Sequence, residues 1–339
     1  MEDLVGVETN FMHPFWKNKR VYVTGSTGLV GSWLTKRLVE DGAYVVALVR
    51  DADPQSALFR TGLDRKIAIV NGSLESYYDI ERGLVEHEID TVFHLAAQTI
   101  VGTAYRSPLA TFEANIRGTY NLLEACRVHT SHIKRVLIAS SDKAYGSAEV
   151  LPYTEAMPPL GRYPYDVSKS CADLICQSYF HTYALPVVIA RCGNIYGGGD
   201  LNWSRIVPGT IRSLLDGQAP IIRSDGTFTR DYVYVEDAVQ AYIRMAEAVD
   251  RPEVQGEAFN FGPAKPLRVR EVVDTISRLM GCEHLEPVVL SKAKAEIHDQ
   301  YLDSTKAQTV LNWQSQFTLE EGLRRSIAWY REYLTQTAV

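Results

Sequence analysis

The sequence is short of the features that would mark most specialised classes. It has five cysteines in 339 residues, none in a Cys-x-x-Cys pair and none with histidines at zinc-ligand spacing. Cys126, Cys171, Cys176, Cys192 and Cys282 are scattered and odd in number. That excludes a disulfide framework and implies reduced, buried, apolar thiols in a cytoplasm, with no metal centre. No run approaches the roughly 18 apolar residues of a membrane-spanning helix. Residues 1–20 carry early acids and no continuous apolar core, so they do not read as a signal peptide. There is no basic block: 35 Lys and Arg stand against 41 Asp and Glu, a net charge of −6. Nucleic acid and anionic membrane are therefore not expected as partners. Repeats and low-complexity tracts are also absent.

What is there is globular. The chain is 46% hydrophobic and 22% charged, long enough for one large α/β unit or two closely joined domains. Nearly continuous Val- and Ile-rich runs at 20–25, 44–49, 66–70, 91–97, 135–140 and 186–191 read as strands buried on both faces. Helical patterns lie between them at 29–41, 76–88, 110–130 and 165–184. This order predicts an α/β fold of Rossmann type, a doubly wound parallel sheet with right-handed crossovers. After residue 191 the pattern loosens. A Gly-rich loop (193–204) precedes a helix near 205–216, a hairpin-like stretch at 220–235 and a helix near 236–249. A short strand at 258–262 and helices at 268–280 and 318–334 complete a smaller C-terminal lobe. A ligand is expected in the crevice between the lobes, at the carboxyl ends of the strands.

"VTGSTGLVGSWL" (23–34) follows the first strand and opens a helix. Gly25, Gly28 and Gly31, with Thr27, Leu29 and Val30 between and beside them, form a turn that brings backbone and a helix N-terminus up to a pyrophosphate. The context of strand, turn and helix is what the dinucleotide fingerprint requires. At the end of the second strand Arg50 and Asp51 are adjacent. An acid there favours NAD and an arginine accommodates the 2′-phosphate of NADP, so both cofactors stay open. Ser73 and Leu74 after the third strand, and Leu95, Ala96, Ala97 and Gln98 after the fourth, are expected to line the adenine and pyrophosphate side.

In "YPYDVSKS" (163–170), Tyr165 and Lys169 are four apart and share a helix face. A phenol titrates near 10, and a neighbouring ammonium lowers that value toward a useful base. Such a pair can take a proton from a sugar hydroxyl as hydride leaves the same carbon.

Five stretches now occur in order and at fitting distances: "TGSTGLVGSW", "HLAAQ", "SSDKAYG", Tyr165-x-x-x-Lys169 and "RCGNIYGGGD". Together, over roughly residues 19 to 335, they resemble the extended short-chain dehydrogenase/reductases of the nucleotide-sugar epimerase/dehydratase type. The resemblance implies a hydride-transfer set of Ser141, Tyr165 and Lys169, with Ser141 on the sugar 4-hydroxyl and Lys169 on the cofactor ribose. It implies a structural role and a water relay for Asn115, beside Lys169. It implies a Rossmann domain over residues 1–191, joined by segments near 236–262, and a nucleotide-sugar lobe over 192–235 and 263–339. It also implies a homodimer through helices 110–130 and 165–184.

Asp142 and Lys143 narrow the reading. Members that only epimerise at C4 need no further acid or base there. In a 4,6-dehydratase, oxidation at C4 acidifies the C5 proton. A base then removes it, an acid protonates the departing C6 hydroxyl, and hydride returns to C6. By the resemblance Asp142 is the acid and Lys143 the base. Lys143 must then be neutral, which desolvation and Lys169 favour and Asp142 opposes, so the pair titrates together. The Asp-Lys pair, "GGGDLNWSRIVPGTIRS" (197–213) and the "FWKNKRVYVTG" opening are most similar to the CDP-glucose 4,6-dehydratase branch. "TRDYVYVED" (229–237) follows the general family pattern instead, Gly102 stands where that branch suggests an arginine, and "LVRDADP" resembles branches that use NADP. Arg230 and Arg205 are candidate diphosphate cations. Gln98 and Asn194 are candidate sugar contacts. "KAEIHDQYLD" (294–303) falls where the family closes over the nucleotide, with Tyr301 or His298 within reach. The expectation is an NDP-hexose 4,6-dehydratase using NAD or NADP. A nucleotide-sugar 4-epimerase is the alternative, and a non-catalytic NAD(P)-sensing protein the remote one.

Overall fold

The computed structural model describes residues 14–292 and 296–337. Six strands, β1 (Arg20–Thr24), β2 (Tyr44–Val49), β3 (Ala68–Asn71), β4 (Thr91–His94), β5 (Arg135–Ala139) and β6 (Val187–Cys192), join β7 (Ala258–Phe261) in one sheet. Its order is β7-β6-β5-β4-β1-β2-β3, and every pairing is parallel. Strand order reverses between β1 and β4, which opens a crevice above their carboxyl ends.

The continuous apolar runs are explained by two cores, one on each face. Along β1, Val21 and Val23 point into one core and Tyr22 into the other. The first core takes Leu34 and Leu38 of α1 (Leu29–Glu40) and Tyr242 and Met245 of α6 (Val235–Ala248). The second takes Ile80 and Leu84 of α2 (Tyr77–Glu86), Leu122 and Leu123 of α3 (Gly118–Val128) and Cys176 of α4 (Pro164–Tyr183). Helices thus cover both faces, as a doubly wound sheet requires.

A third core belongs to the C-terminal half. It gathers Val207 and Ile211 of α5 (Ile206–Leu215), Val272 and Ile276 of α7 (Val269–Met280), and Leu323 and Tyr330 of α8 (Leu319–Thr337). Leu29 is part of this core, and Trp33 Nε1 donates to the Gly198 carbonyl at 2.8 Å. The helix that follows the glycine turn is therefore also the joint to the second half. The run Gly197-Gly198-Gly199 has a packing reason: a Cβ at Gly197 would strike Val235, and one at Gly198 would strike Trp329.

Three expectations are corrected. Residues 220–235 do not form a hairpin. Ile221–Ile222 pairs with Val288–Val289, Thr229–Arg230 pairs with Leu267–Arg268 and Asp299–Gln300, and Tyr232–Tyr234 pairs with Asn194–Tyr196. Strands this short find their partners in distant segments rather than in each other. The pattern at 110–130 is not one regular helix either. A helical turn (Pro108–Phe112) passes into a π-turn (Glu113–Arg117) before α3 begins, and Asn115 sits at its centre. β3 also starts two residues later than its apolar run, since Leu63–Lys66 forms a 3-10 turn.

The glycine turn leaves no room for side chains. Gly25 has φ +81°, and a Cβ there would stand 2.7 Å from the Ala96 nitrogen. At Gly31 a Cβ would overlap the Gly25 carbonyl. Gly31→Ala is expected to destabilise the chain by about 2–3 kcal/mol, as overpacking against backbone does, and to weaken dinucleotide binding. Thermal unfolding and a cofactor titration measure the two effects.

Candidate active site

The glycine turn leads into an uncapped helix N-terminus. α1 starts at Gly28 with no side-chain cap, so its first-turn N–H groups stay free for an anion. Thr27, Leu29 and Val30 lie in this turn, and Leu95 and Ala96 cross beside Gly25. The loop after β4 is held from two sides. Thr24 Oγ1 bonds His94 Nδ1 (2.9 Å) and accepts the Ala96 N–H (3.2 Å), and His94 Nε2 meets Thr119 Oγ1 (3.2 Å). Burial drives His94 far down in pKa, to about 3, so the ring is neutral. Asn115 clasps Gln98 across its backbone, accepting the N–H at 2.7 Å and donating to the carbonyl at 3.0 Å. It also donates to Ser168 Oγ at 2.9 Å, which binds the loop to α4. Asn115 lies in the π-turn. Gln98's own side chain bonds Ile100 and Thr111, so it braces the short helix that follows.

After β3, Ser73 donates to Glu75, its N–H goes to Asp79 Oδ2 (3.1 Å), and Leu74 packs where a Cβ on Gly118 would fall. Arg50 and Asp51 are exposed and paired with each other, Nε to Oδ2 at 2.7 Å.

β5 ends at Ala139, and the chain turns at once into a 3-10 turn, Asp142–Tyr145, capped by Ser141. Ser141 Oγ donates to Asp142 Oδ1 at 2.9 Å and accepts the Lys143 N–H at 3.3 Å. Asp142 is buried, and burial raises its carboxyl above the usual range, opposed by Lys143, the Ser141 hydroxyl and Arg230. Lys143 is half-buried and its Nζ donates to Gln300 Oε1 at 2.9 Å.

Tyr165 and Lys169 both lie buried in α4. Lys169 Nζ donates to the Ala139 carbonyl at 2.7 Å, and burial lowers its pKa to about 8. The sequence suggested that Lys169 would pull the Tyr165 phenol down. In the structure burial dominates and pushes it up to about 12, with Arg205 and a hydrogen bond to Ser141 acting the other way. Lys143 opposes the effect of burial at both Asp142 and Asp166.

The turn rests on a buried network. Arg191 grips Asp173 with two hydrogen bonds, 2.8 and 2.7 Å, and donates to Tyr145 Oη at 2.8 Å. Tyr145 donates to Asn260 Oδ1 (2.7 Å) and stacks on Tyr153 at 4.9 Å, while Ser140 bonds Asp173 at 3.1 Å. Sequence reading missed Asp173, Arg191, Asn260, Asp166 and Gln300. Only the charges inside otherwise apolar or helical runs could have flagged the first two, and Gln300 carries no local signal.

On the substrate side, Arg205 bonds Asp200 (3.0 Å) and Thr99 (3.2 Å), so it spans from the glycine loop to the loop after β4. Asn194 is half-buried in the short strand beside Asp231. Arg230 is buried and gives its guanidinium to the carbonyls of Thr229, Ile297 and His298 and to Glu296. Its present job is to fasten 296–298. Tyr301 and His298 line a cavity of about 560 Å³ with residues 147–151, and His298 is exposed. Of the stretch 294–303, Lys294 and Ala295 lie outside the described residues.

The parallel sheet with its glycine turn fits the superfamily of nicotinamide-dependent nucleotide-sugar dehydratases and epimerases. The family described as GDP-mannose 4,6 dehydratase matches residues 22–326, and the chain belongs to it. It is 32% identical to the CDP-glucose 4,6-dehydratase of Salmonella typhimurium, over 94% of this chain and 92% of that protein. It is 30% identical to a trifunctional UDP-glucose 4,6-dehydratase of Arabidopsis thaliana, of which it spans about half, 48%. The solved dTDP-glucose 4,6-dehydratase of Streptomyces venezuelae, with NAD bound, superimposes with a TM-score of 0.84 at 26% identity, covering 92% and 97% of the two chains. The UDP-glucose 4-epimerase of Thermotoga maritima does so equally, TM-score 0.84 at 29% identity, covering 93% and 99%.

Asp173→Ala leaves Arg191 as an uncompensated buried charge. It is expected to destabilise the chain by about 3 kcal/mol or more and to loosen the Asp142–Tyr145 turn. Denaturant unfolding measures the first effect, and hydrogen exchange at Ala144 and Tyr145 the second.

Proposed function

We propose that the chain is an NDP-hexose 4,6-dehydratase, of the CDP-glucose type, producing an NDP-4-keto-6-deoxyhexose. The observation that carries this is Asp142, a buried carboxyl held toward its acid form next to Lys143, on the turn that also bears Ser141. A proton shuttle at C4 alone has no use for such a pair.

A nicotinamide cofactor, when bound, would supply the two-electron acceptor for oxidation at C4 and the donor for C6. The glycine turn, Ala96, Ala97 and the α1 N-terminus would hold the dinucleotide, with Ser73, Leu74, Arg50 and Asp51 toward the adenosine. Tyr165 takes the C4 hydroxyl proton. Its phenolate is disfavoured by burial and favoured by Ser141 and Arg205. Lys169 binds from the next turn of α4, and Asn115 holds the loop it faces. Lys143 then removes the C5 proton, and Asp142 donates to the C6 hydroxyl, which leaves as water. Arg205, Arg230, Asn194, Gln98 and Tyr301 are the proposed contacts to the diphosphate, sugar and nucleotide.

A 4-epimerase is the second reading, favoured by the equal superposition on the Thermotoga maritima enzyme. The five unpaired thiols accord with a reducing, cytoplasmic setting. Exposed Leu109, Tyr120, Val128, Leu174 and Tyr183 give the long helices an apolar surface for a homodimer. Sedimentation tests that association.

Incubation with CDP-, GDP-, dTDP- and UDP-hexoses, read by mass spectrometry, is expected to show loss of one water with one nucleotide. An unchanged mass with a new sugar isomer overturns the dehydratase in favour of the epimerase. Lys143→Met is expected to slow water loss by about a hundredfold or more while oxidation at C4 persists. Product formation at the wild-type rate would remove Lys143 from its role. Because Arg50 and Asp51 neutralise each other, Asp51→Ala is expected to shift preference toward NADP and Arg50→Ala toward NAD. Cofactor titrations of the two variants report the shift.

A further inference from the structure

Gln300 carries the segment 296–303 to the amine of Lys143. Lys143 Nζ donates to Gln300 Oε1 at 2.9 Å, across 157 residues of sequence. Gln300 is fully buried, an uncommon place for a glutamine. Strand alternation explains its direction. Asp299 and Tyr301 line the cavity of about 560 Å³ with residues 147–151. Gln300, between them, turns the other way, toward the turn that carries Asp142 and Lys143.

Backbone bonds fix Gln300 from both sides. Its strand, Asp299–Gln300, runs parallel to Thr229–Arg230. Before it, the His298 carbonyl accepts the Thr229 N–H (3.1 Å) and Arg230 Nη1 (2.6 Å). After it, the Tyr153 N–H donates to the Tyr301 carbonyl (2.9 Å), and the Leu302 N–H to Asp231 Oδ2 (2.7 Å). The amide cannot drift away from Lys143 unless these bonds break.

The amide also has one useful orientation. Its oxygen only accepts and its NH2 only donates. Turned over, the NH2 would meet an ammonium donor to donor, or would occupy the lone pair of a free amine. With Oε1 on Lys143 that lone pair stays open. The other end of the amide bears the cost. Nε2 is buried with no hydrogen bond among the described residues, although it lies close enough to Tyr153 to favour that phenolate. Packing gives no reason to keep an unanswered donor, since a methionine would fill similar space without one.

Resting on the dehydratase reading, we infer that Gln300 is a positioning residue for Lys143: its amide oxygen fixes the nitrogen through an N–H and leaves the lone pair for the C5 proton. A carboxylate in its place would hold the nitrogen too, but would favour the ammonium, which has no lone pair. In the elimination the C5–H bond breaks and its proton passes to the Lys143 amine. The electron pair left behind forms the C5–C6 double bond. The C6–O bond breaks, and the hydroxyl leaves as water with the proton of Asp142. The ammonium and the Asp142 carboxylate so formed balance each other. Gln300 takes no proton and keeps its hydrogen bond throughout.

Gln300→Met removes the acceptor at similar side-chain length, and Gln300→Glu keeps an acceptor and adds a charge. Single turnover of the full chain with cofactor and a nucleotide hexose separates the half-reactions. Absorbance of the reduced nicotinamide reads oxidation at C4, and mass spectrometry reads water loss. Gln300→Met is expected to slow water loss about tenfold to a hundredfold, with KM and oxidation at C4 within about twofold of wild type. Gln300→Glu is expected to raise the pH for half-maximal water loss by about one unit or more, the rate returning at alkaline pH. Labelling of Lys143 by trinitrobenzenesulfonate, read by peptide mass spectrometry, needs no turnover. It is expected to be about threefold to tenfold slower near neutral pH in Gln300→Glu. Water loss at the wild-type rate in Gln300→Met overturns the inference, as does an equal fall of both half-reactions. Labelling and pH profiles of Gln300→Glu that match wild type overturn it as well. If labelling responds but the wild-type chain removes no water from any nucleotide hexose, the dehydratase reading fails and the hold of Gln300 on Lys143 stands.

Discussion

The ion pair between Asp173 and Arg191 is the interaction on which the site's order depends. Both side chains are essentially without solvent, one from the middle of α4 and one from β6. Charges this deep are tolerable only with every lone pair and proton answered. The pair is answered by Ser140 at the end of β5 and by Tyr145 at the end of the turn that carries Asp142 and Lys143. Helix, two strands and the turn therefore share one polar knot, and no member can shift without exposing a buried charge. The Tyr145–Asn260 bond extends the knot to β7, the strand that the C-terminal half returns to the sheet.

Above this knot the protein concentrates ionisable groups where the apolar sheet gives way to the crevice. Asp142, Asp166 and Asp231 are all buried, and burial raises each of them; Asp231 reaches about 7. Lys143 and Arg230 moderate Asp142 from two sides. A desolvated region of this kind makes proton affinities depend on immediate neighbours rather than on water. The glycine turn is built on a different principle: tight glycines, an uncapped helix N-terminus and backbone clasped by Asn115 offer donors and close approach without charge.

The doubly wound sheet was legible because its strands are buried on both faces, and a parallel core writes that burial as unbroken apolar runs. The glycine turn was legible because close backbone approach admits no other residue. The C-terminal half was read less well. Its two- and three-residue strands pair with segments up to tens of residues away, so 220–235 looked like a hairpin and is not. The π-turn at Asn115 left no trace, since one extra residue in a helical turn does not change its apolar pattern. Arg230, read as a diphosphate cation, also fastens 296–298 through the carbonyls of Ile297 and His298, which its sequence position does not reveal.

Sequence alone determined which chemical groups are present and which lie within a turn of one another: Ser141 with Asp142 and Lys143, Tyr165 with Lys169 and Asp166. Local geometry is enough for that, because a capped turn and a helix each fix spacing over a few residues. Tertiary structure decided what those groups are protonated against. Whether Tyr165 answers to Lys169 or to its own burial, and which distant segment supplies the partner of the Lys143 amine, depends on which segments pack together and how completely they exclude water. Electrostatic strength in a protein is set by burial and by neighbours across the fold, and neither is written in the order of the residues.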